Sequence, residues 1–242
     1  MEQPTAIDKA LDVLFFLRRA GEARGVTEIG RALSLPKSSA HRLLATLARR
    51  GLVERDHGGR YRLGVGLLFL GQGVAAGEPM VAAARPILEA LAEQLHETCF
   101  LVAARGGRLV VLDKVESQGV LRVSPEVGAQ IPIIGTAVGK LYLAHDPEQL
   151  ADDDAARTAA FELLGKAQLD ATRTLGHASN YGQWIDGLCV FSVPLFAHGR
   201  LSAALAVAMP TGRRDEEAES RVLCALKEAT VRVCARAEGR EG

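Results

Sequence analysis

The sequence predicts an α+β chain in two parts: a small N-terminal module of three helices and a hairpin, and a larger body alternating helices with antiparallel strand pairs. Three observations predict it. Apolar residues recur at helical spacing in three short segments before residue 50, each ended by Gly or Pro. Two pairs of apolar runs, within residues 99–112 and 188–209, are split by Gly-containing turns, as hairpins require. The net charge of zero also hides an asymmetry. Residues 1–65 carry 12 Lys+Arg against 7 Asp+Glu, and the remainder carries 17 against 22. A basic head on an acidic body is the distribution expected when only the head meets a polyanion.

In the head, Ile7, Leu11, Leu14 and Phe15, with Leu17 beside them, mark a helix that stops at Gly21. Thr27 is the expected N-cap of a second helix carrying Ile29, Ala32 and Leu33, which Ser34-Leu35-Pro36 breaks. A third helix begins near Lys37, with Ser34 or Pro36 at its N-terminus, and ends at Gly51. Its residues Ala40, Leu43, Leu44 and Leu47 lie at i, i+3, i+4, i+7 and face inward. The opposite face carries Ser38, Arg42, Ala45 and Arg49, flanked by Ser39, His41 and Thr46, and no acid. Small, hydroxylic and basic residues on one helix face suit the major groove. Leu52–Asp56, the turn His57-Gly58-Gly59 and Arg60–Leu63 then form a hairpin, with Arg60 and Arg62 on one face and Tyr61 and Leu63 on the other. Short helix, Pro-broken turn, Ser/Arg-faced helix and basic hairpin, in that order, describe a winged helix-turn-helix that binds double-stranded DNA. Lys37, Ser38, Ser39, His41 and Arg42 are its expected groove residues, and Arg60 and Arg62 its expected phosphate contacts.

Residues 65–78 read as a linker helix, with a flexible interdomain linker as the alternative. Leu67, Leu68, Leu70 and Val74 are apolar, but the surrounding glycines each cost about 1 kcal/mol relative to Ala, so the helix needs a partner surface. From residue 79 the body begins. Val81, Ile87, Leu88, Leu91 and Leu95 mark a helix; Cys99–Ala103, Leu109–Leu112 and Val120–Val123 are strand candidates, with Gly106-Gly107 as a turn. A helix at Thr136–Leu143 follows. The strands Leu188–Leu195 and Leu201–Met209 flank His198-Gly199-Arg200, and a helix from about Asp215 to Ala237 closes the chain with Val222, Leu226, Ala229 and Val233 inward. This order predicts a curved antiparallel sheet with helices on one face and a pocket on the other.

Leu35-Pro36-Lys37-Ser38-Ser39-Ala40-His41-Arg42-Leu43-Leu44, then Gly51-Leu52-Val53-Glu54-Arg55 and Gly59-Arg60-Tyr61-Arg62-Leu63-Gly64, resemble the IclR family of transcriptional regulators. Asp113-Lys114-Val115-Glu116-Ser117, Gly135-Thr136-Ala137-Val138-Gly139-Lys140, and Gly187 with Pro194-Leu195-Phe196 extend the resemblance to nearly the whole chain. It implies a DNA-binding domain at 1–64, a linker helix at 65–78 that helps dimerise the heads, and a GAF-like effector domain at 79–242. It also implies a homodimer or homotetramer on a pseudo-palindromic operator, and an effector site at Ile131, Thr136, Ala137, Val138, Asn180, Leu188, Val190, Ala206 and Ala208. Two departures bear on the effector. Asn180 stands where an acid is common, and Ala206-Val207-Ala208 where many members have Ser-x-Ser. With few polar groups left, and backbone N–H groups at Thr136, Ala137 and Val138 able to bind a carboxylate, the expected effector is an aromatic or largely apolar carboxylic acid.

Other functions fare worse. The four cysteines form no Cys-x-x-Cys pair, so neither a zinc site nor a disulfide framework is expected, and a reducing cytoplasm fits. No apolar run reaches the ~20 residues of a membrane span, and Met1-Glu2-Gln3-Pro4 lacks the form of a signal peptide. Asp152-Asp153-Asp154 reads as a solvated loop, not a metal site. No cofactor is expected. His177 and His198 read as surface residues, Cys99 and Cys189 as buried inert thiols, and Tyr181 and Trp184 as core or pocket wall. The alternative, a metabolic enzyme with an N-terminal protein-interaction module, finds no nucleophile with a base and orienting partner, and no phosphate loop.

Overall fold

In the computed structural model of the protein, which describes residues 5–76, 78–116 and 125–239, the chain divides into two compact units, Met1–Gly77 and Glu78–Gly242. Among the described residues no helix is long and apolar enough to cross a membrane.

The first unit contains α1 (Ala6–Ala20), α2 (Val26–Ala32), α3 (Lys37–Arg49), β1 (Val53–Arg55), β2 (Tyr61–Leu63) and α4 (Gly66–Ala76). A capping box starts α1: Thr5 Oγ1 accepts the Asp8 N–H, and Asp8 accepts the Thr5 N–H at 2.8 Å. Gly25, not Thr27, caps α2. Its backbone is extended, and the Glu28 carboxylate reaches back to the Gly25 N–H at 2.6 Å, satisfying the helix start without a hydroxyl. Pro36 occupies the N-cap of α3. Val13, Leu17, Ile29, Ala40, Leu44, Leu47, Val53 and Tyr61 are the buried core of this unit. The α1 stripe Ile7, Leu11 and Phe15, by contrast, is exposed: the face turned inward is that of Val13 and Leu17. Leu68, Phe69 and Leu70 of α4 are exposed as well. A Cβ on Gly64 would lie 2.3 Å from the Gly51 carbonyl oxygen, so the turn after α3 and the chain after β2 can meet only through glycine.

In the second unit, β3 (Thr98–Arg105), β4 (Arg108–Val115), β5 (Gln130–Ile131), β6 (Ala178–Tyr181), β7 (Leu188–Ala197) and β8 (Arg200–Pro210) form an antiparallel sheet of order β5-β4-β3-β8-β7-β6. Ala197 pairs with Arg200, leaving His198 and Gly199 as a two-residue turn with both φ positive, the form that matches strand twist. The expected strand at 120–123 lies outside the described residues.

Helices cover both faces of this sheet, where helices were expected on one face and a pocket on the other. α5 (Pro79–Leu95) and α8 (Glu216–Ala237) bury one face with Cys99, Leu101, Phe191, Leu205 and Val207. α6 (Ala137–His145) and residues of α7 (Asp154–Leu175) bury the other with Phe100, Val102, Val190, Ala204, Ala206 and Ala208. The physical reason is in the strands. With both faces covered, 188–195 and 201–209 need apolar side chains at nearly every position and show no polar alternation. Besides the short edge strands β5 and β6, α7 was missed in sequence. It is preceded by a 3-10 turn, Pro147–Asp153, so Asp154 opens a helix and does not end a loop. Only Ala160, Leu169 and Thr172 of its described residues are buried, and Gly165 (φ 69°) kinks it, so its helical periodicity is weak.

Candidate functional site

On α3, Ala40, Leu44 and Leu47 face the core, while Lys37, Ser38, His41, Arg42, Ala45, Thr46 and Arg49 are exposed and Ser39 is half-buried. Thr46 Oγ1 donates to the Arg42 carbonyl at 3.0 Å and accepts from Arg49 at 3.4 Å, tying the far end of this face to the helix itself. The side chains of Lys37, His41 and Arg42 make no hydrogen bond or ion pair with the described residues. The wing differs. Arg60 lies 3.4 Å from Glu28 and Arg62 lies 3.2 Å from Glu54. Backbone N–H groups, of Gly25 for Glu28 and of Val65 for Glu54, hold both carboxyls below their ordinary range, and the arginines add to this. Tyr61, on the inner face of β2, exchanges backbone hydrogen bonds with Arg24 at 2.8 and 2.7 Å, which anchors the wing to the body of the module.

The second site lies at the N-terminus of α6. Thr136 caps the helix: Oγ1 accepts the Gly139 N–H at 3.0 Å and donates to the Pro132 carbonyl at 2.8 Å. A Cβ on Gly139 would come within 1.9 Å of the Ile133 carbonyl oxygen, so this turn closes on itself only because residue 139 is glycine. Tyr142, fully buried, fixes α6 to the sheet by accepting the Ala104 N–H at 3.1 Å. Burial raises its phenol to about 12. Asn180 joins two loops, donating to the Gly135 carbonyl and accepting the Gln183 N–H at 2.9 Å.

These elements enclose a cavity of about 10 Å³ lined by Phe100, Ile131, Thr136, Ala137, Val138, Asn180, Trp184 and Val190, room for about one water. Six of the nine residues expected in an effector site therefore meet here. Leu188, Ala206 and Ala208 share the same apolar cluster but do not line the cavity. Phe100 was missed, because nothing in a strand sequence tells which of two buried faces a residue joins. Trp184 proves a wall residue. Tyr181 does not line this cavity: it packs edge-on against Phe191, donates to Glu219 at 2.7 Å and walls a separate cleft. The floor is not free of hydroxyls either, since buried Ser192 pairs with Ala206 and donates to the Leu205 carbonyl at 3.0 Å. Both Cys99 and Cys189 are buried, and desolvation pushes the Cys99 thiol up to about 12, leaving it un-ionised.

Comparison with known proteins bears on both sites. Residues 6–57 match the model of the IclR helix-turn-helix domain, and residues 72–235 the bacterial transcriptional regulator IclR C-terminal domain. The HTH-type transcriptional regulator TtgV of Pseudomonas putida is 30% identical over 88% of this chain and 84% of its own. The acetate operon repressor of Salmonella typhimurium is 26% identical over 95% and 90%. Among solved structures, the IclR of Thermotoga maritima superposes with a TM-score of 0.77 at 23% identity, covering 96% of this chain and 98% of that one. An IclR homolog from Microbacterium hydrocarbonoxydans complexed with 4-hydroxybenzoate gives 0.74 at 20%, covering 97% and 100%.

Proposed function

The chain belongs to the IclR family of transcriptional regulators, and from that premise we propose a DNA-binding regulator whose operator affinity is set by an aromatic or largely apolar carboxylic acid. The observation that carries the DNA reading is the exposed, acid-free face of α3, on which Lys37, His41 and Arg42 have no partner among the described residues. Arg42 reads a base edge, Lys37, Ser38, Ser39 and His41 line the same groove, and Arg60 and Arg62 take phosphates. The wing arginines first leave Glu28 and Glu54. Exposed ion pairs of this kind contribute about 0–1 kcal/mol, so phosphate competes with them easily.

For the effector, the cavity at α6 has apolar walls and a helix N-terminus whose first N–H groups, at Ala137 and Val138, have no acceptor within the helix. The 4-hydroxybenzoate in a solved relative supports the same ligand class. An aromatic acid needs more space than one water, so binding displaces the turn that carries Trp184. A dimer is part of this reading. The exposed apolar stripe of α1 and the exposed leucines and Phe69 of α4 supply a surface that water disfavours.

Gel shift on the DNA upstream of the gene, with and without benzoate, tests the proposal. Arg42→Ala should cost about 1–3 kcal/mol and relax preference at one position. Arg60→Ala or Arg62→Ala should weaken all sequences alike and lower the salt slope by about one. Unchanged affinity and preference in Arg42→Ala would overturn the assignment of α3.

A further inference from the structure

One buried charge among the described residues of the second unit has no counter-charge within ion-pair distance. Lys140, in the middle of α6, is 7% exposed. Its ammonium donates to the Ser179 carbonyl at 2.7 Å and to Gln183 Oε1 at 2.9 Å. No carboxylate among the described residues lies within ion-pair distance of it. An ammonium has three donors, so one is unused by those residues. Desolvation moves its pKa below the ordinary lysine value, and no opposing charge offsets that. Holding two neutral oxygens requires only a neutral donor, so the charge itself is not explained by these contacts; a buried cation is costly unless paired.

Lys140 borders a cleft of about 450 Å³, lined also by Ser179 and Gln183, the two residues that hold its ammonium. This cleft shares no lining residue with the cavity at the N-terminus of α6. Ala171, Leu175 and Ala178 give it an apolar wall. Three titratable groups besides Lys140 share the lining, His177, Tyr181 and Glu219. His177 has Nδ1 3.1 Å from the Leu175 carbonyl, and Glu219 is bonded to Tyr181 Oη at 2.7 Å and to Arg214 Nε at 2.9 Å. Glu219 is thus engaged by its own cation.

We propose that this cleft is a second ligand site, which takes a small organic carboxylate on the third N–H of Lys140 and lays its apolar part against Ala171 and Leu175. A charge-assisted hydrogen bond at a sheltered ammonium is about twice as strong as a neutral one, and an anion there supplies the missing counter-charge. The site is separate from the effector cavity, and its occupation bears on that cavity through Gln183, whose backbone N–H is held by Asn180.

Equilibrium dialysis of the full chain with labelled benzoate tests this. The variants are Ala171→Phe, an exposed position on α7 that fills the cleft, and Lys140→Gln, which keeps a neutral donor. Trp184, the only tryptophan and a wall of the other cavity, reports that cavity separately by fluorescence. Wild type should bind one more benzoate per chain than Ala171→Phe at millimolar ligand, with the Trp184 response retained. Lys140→Gln should weaken that site by about tenfold or more, and uncharged benzamide should not occupy it. Equal benzoate stoichiometry in wild type and Ala171→Phe would overturn the proposal, as would benzamide binding as well as benzoate. Should Lys140→Gln fold poorly, Ala171→Phe decides alone, because residue 171 is exposed and lies outside the buried cluster around α6.

Discussion

Tyr142→Phe isolates one hydrogen bond that positions α6. The ring is fully buried against β3 and its hydroxyl accepts the Ala104 N–H at 3.1 Å. Phenylalanine fills the same volume, so no cavity forms and the apolar contacts survive. What changes is that a buried amide loses its side-chain acceptor, which costs about 1–3 kcal/mol where no other acceptor replaces it. For a unit of this size each kcal/mol lowers the thermal midpoint by about 2–4 °C, so a fall of roughly 2–12 °C is expected for the second unit. Tyr142→Ala removes the ring as well and should cost about 3–5 kcal/mol more. Differential scanning calorimetry of the three full-length proteins reads both steps. A midpoint for Tyr142→Phe within one degree of wild type would show that the bond does not fix α6. So would a loss as large as that of Tyr142→Ala, since packing would then be failing with the bond.

Three further outcomes follow from the same geometry. Calorimetric titration should show benzoate-like acids binding more tightly than glyoxylate or pyruvate; tight binding of a two- or three-carbon acid with benzoate inert would sink the assignment of effector class. Phe15→Asp removes a large exposed side chain worth about 1.5–3 kcal/mol of burial in a partner interface, so light scattering should show weaker association and gel shift a weaker operator complex. A wild-type chain that is monomeric at micromolar concentration with operator binding intact would refute the dimer. His145 supplies a pH test. Burial, aided by Arg173, depresses its pKa below the ordinary 6.5, and its buried Nε2 has no hydrogen-bond partner among the described residues. A histidine whose folded pKa is depressed adds stability above the unfolded value that is lost as pH falls through and below 6.5. The thermal midpoint of wild type should therefore drop from pH 7 to pH 5 more than that of His145→Gln, and parallel curves would refute it.

Much of this protein is local and therefore legible in its sequence. Helix periodicity, the Pro36 break, Gly51 after α3 and the His198-Gly199 turn act through residues a few positions apart, and each fixed its element before any contact between elements was known. The outer face of α3 was equally readable, because a helix carries its polar side wherever it docks. Three things depended on tertiary structure. Ile7, Leu11 and Phe15 against Val13 and Leu17 is a choice between two apolar faces of one helix, and only the position of α3 and the wing decides which is buried. The sheet's second covered face came from α6 and α7, the latter too polar and too kinked at Gly165 to announce itself. The near-continuous apolar strands 188–195 and 201–209 did carry that signal, since an open face would have required polar alternation. The site residues divide the same way. Thr136, Ala137 and Val138 follow from a helix start, whereas Phe100, the turning away of Tyr181 and the closeness of Lys140 to Ser179 and Gln183 arise from segments some forty residues apart. Sequence determines the direction of each side chain on its own helix or strand; only packing decides what stands opposite it.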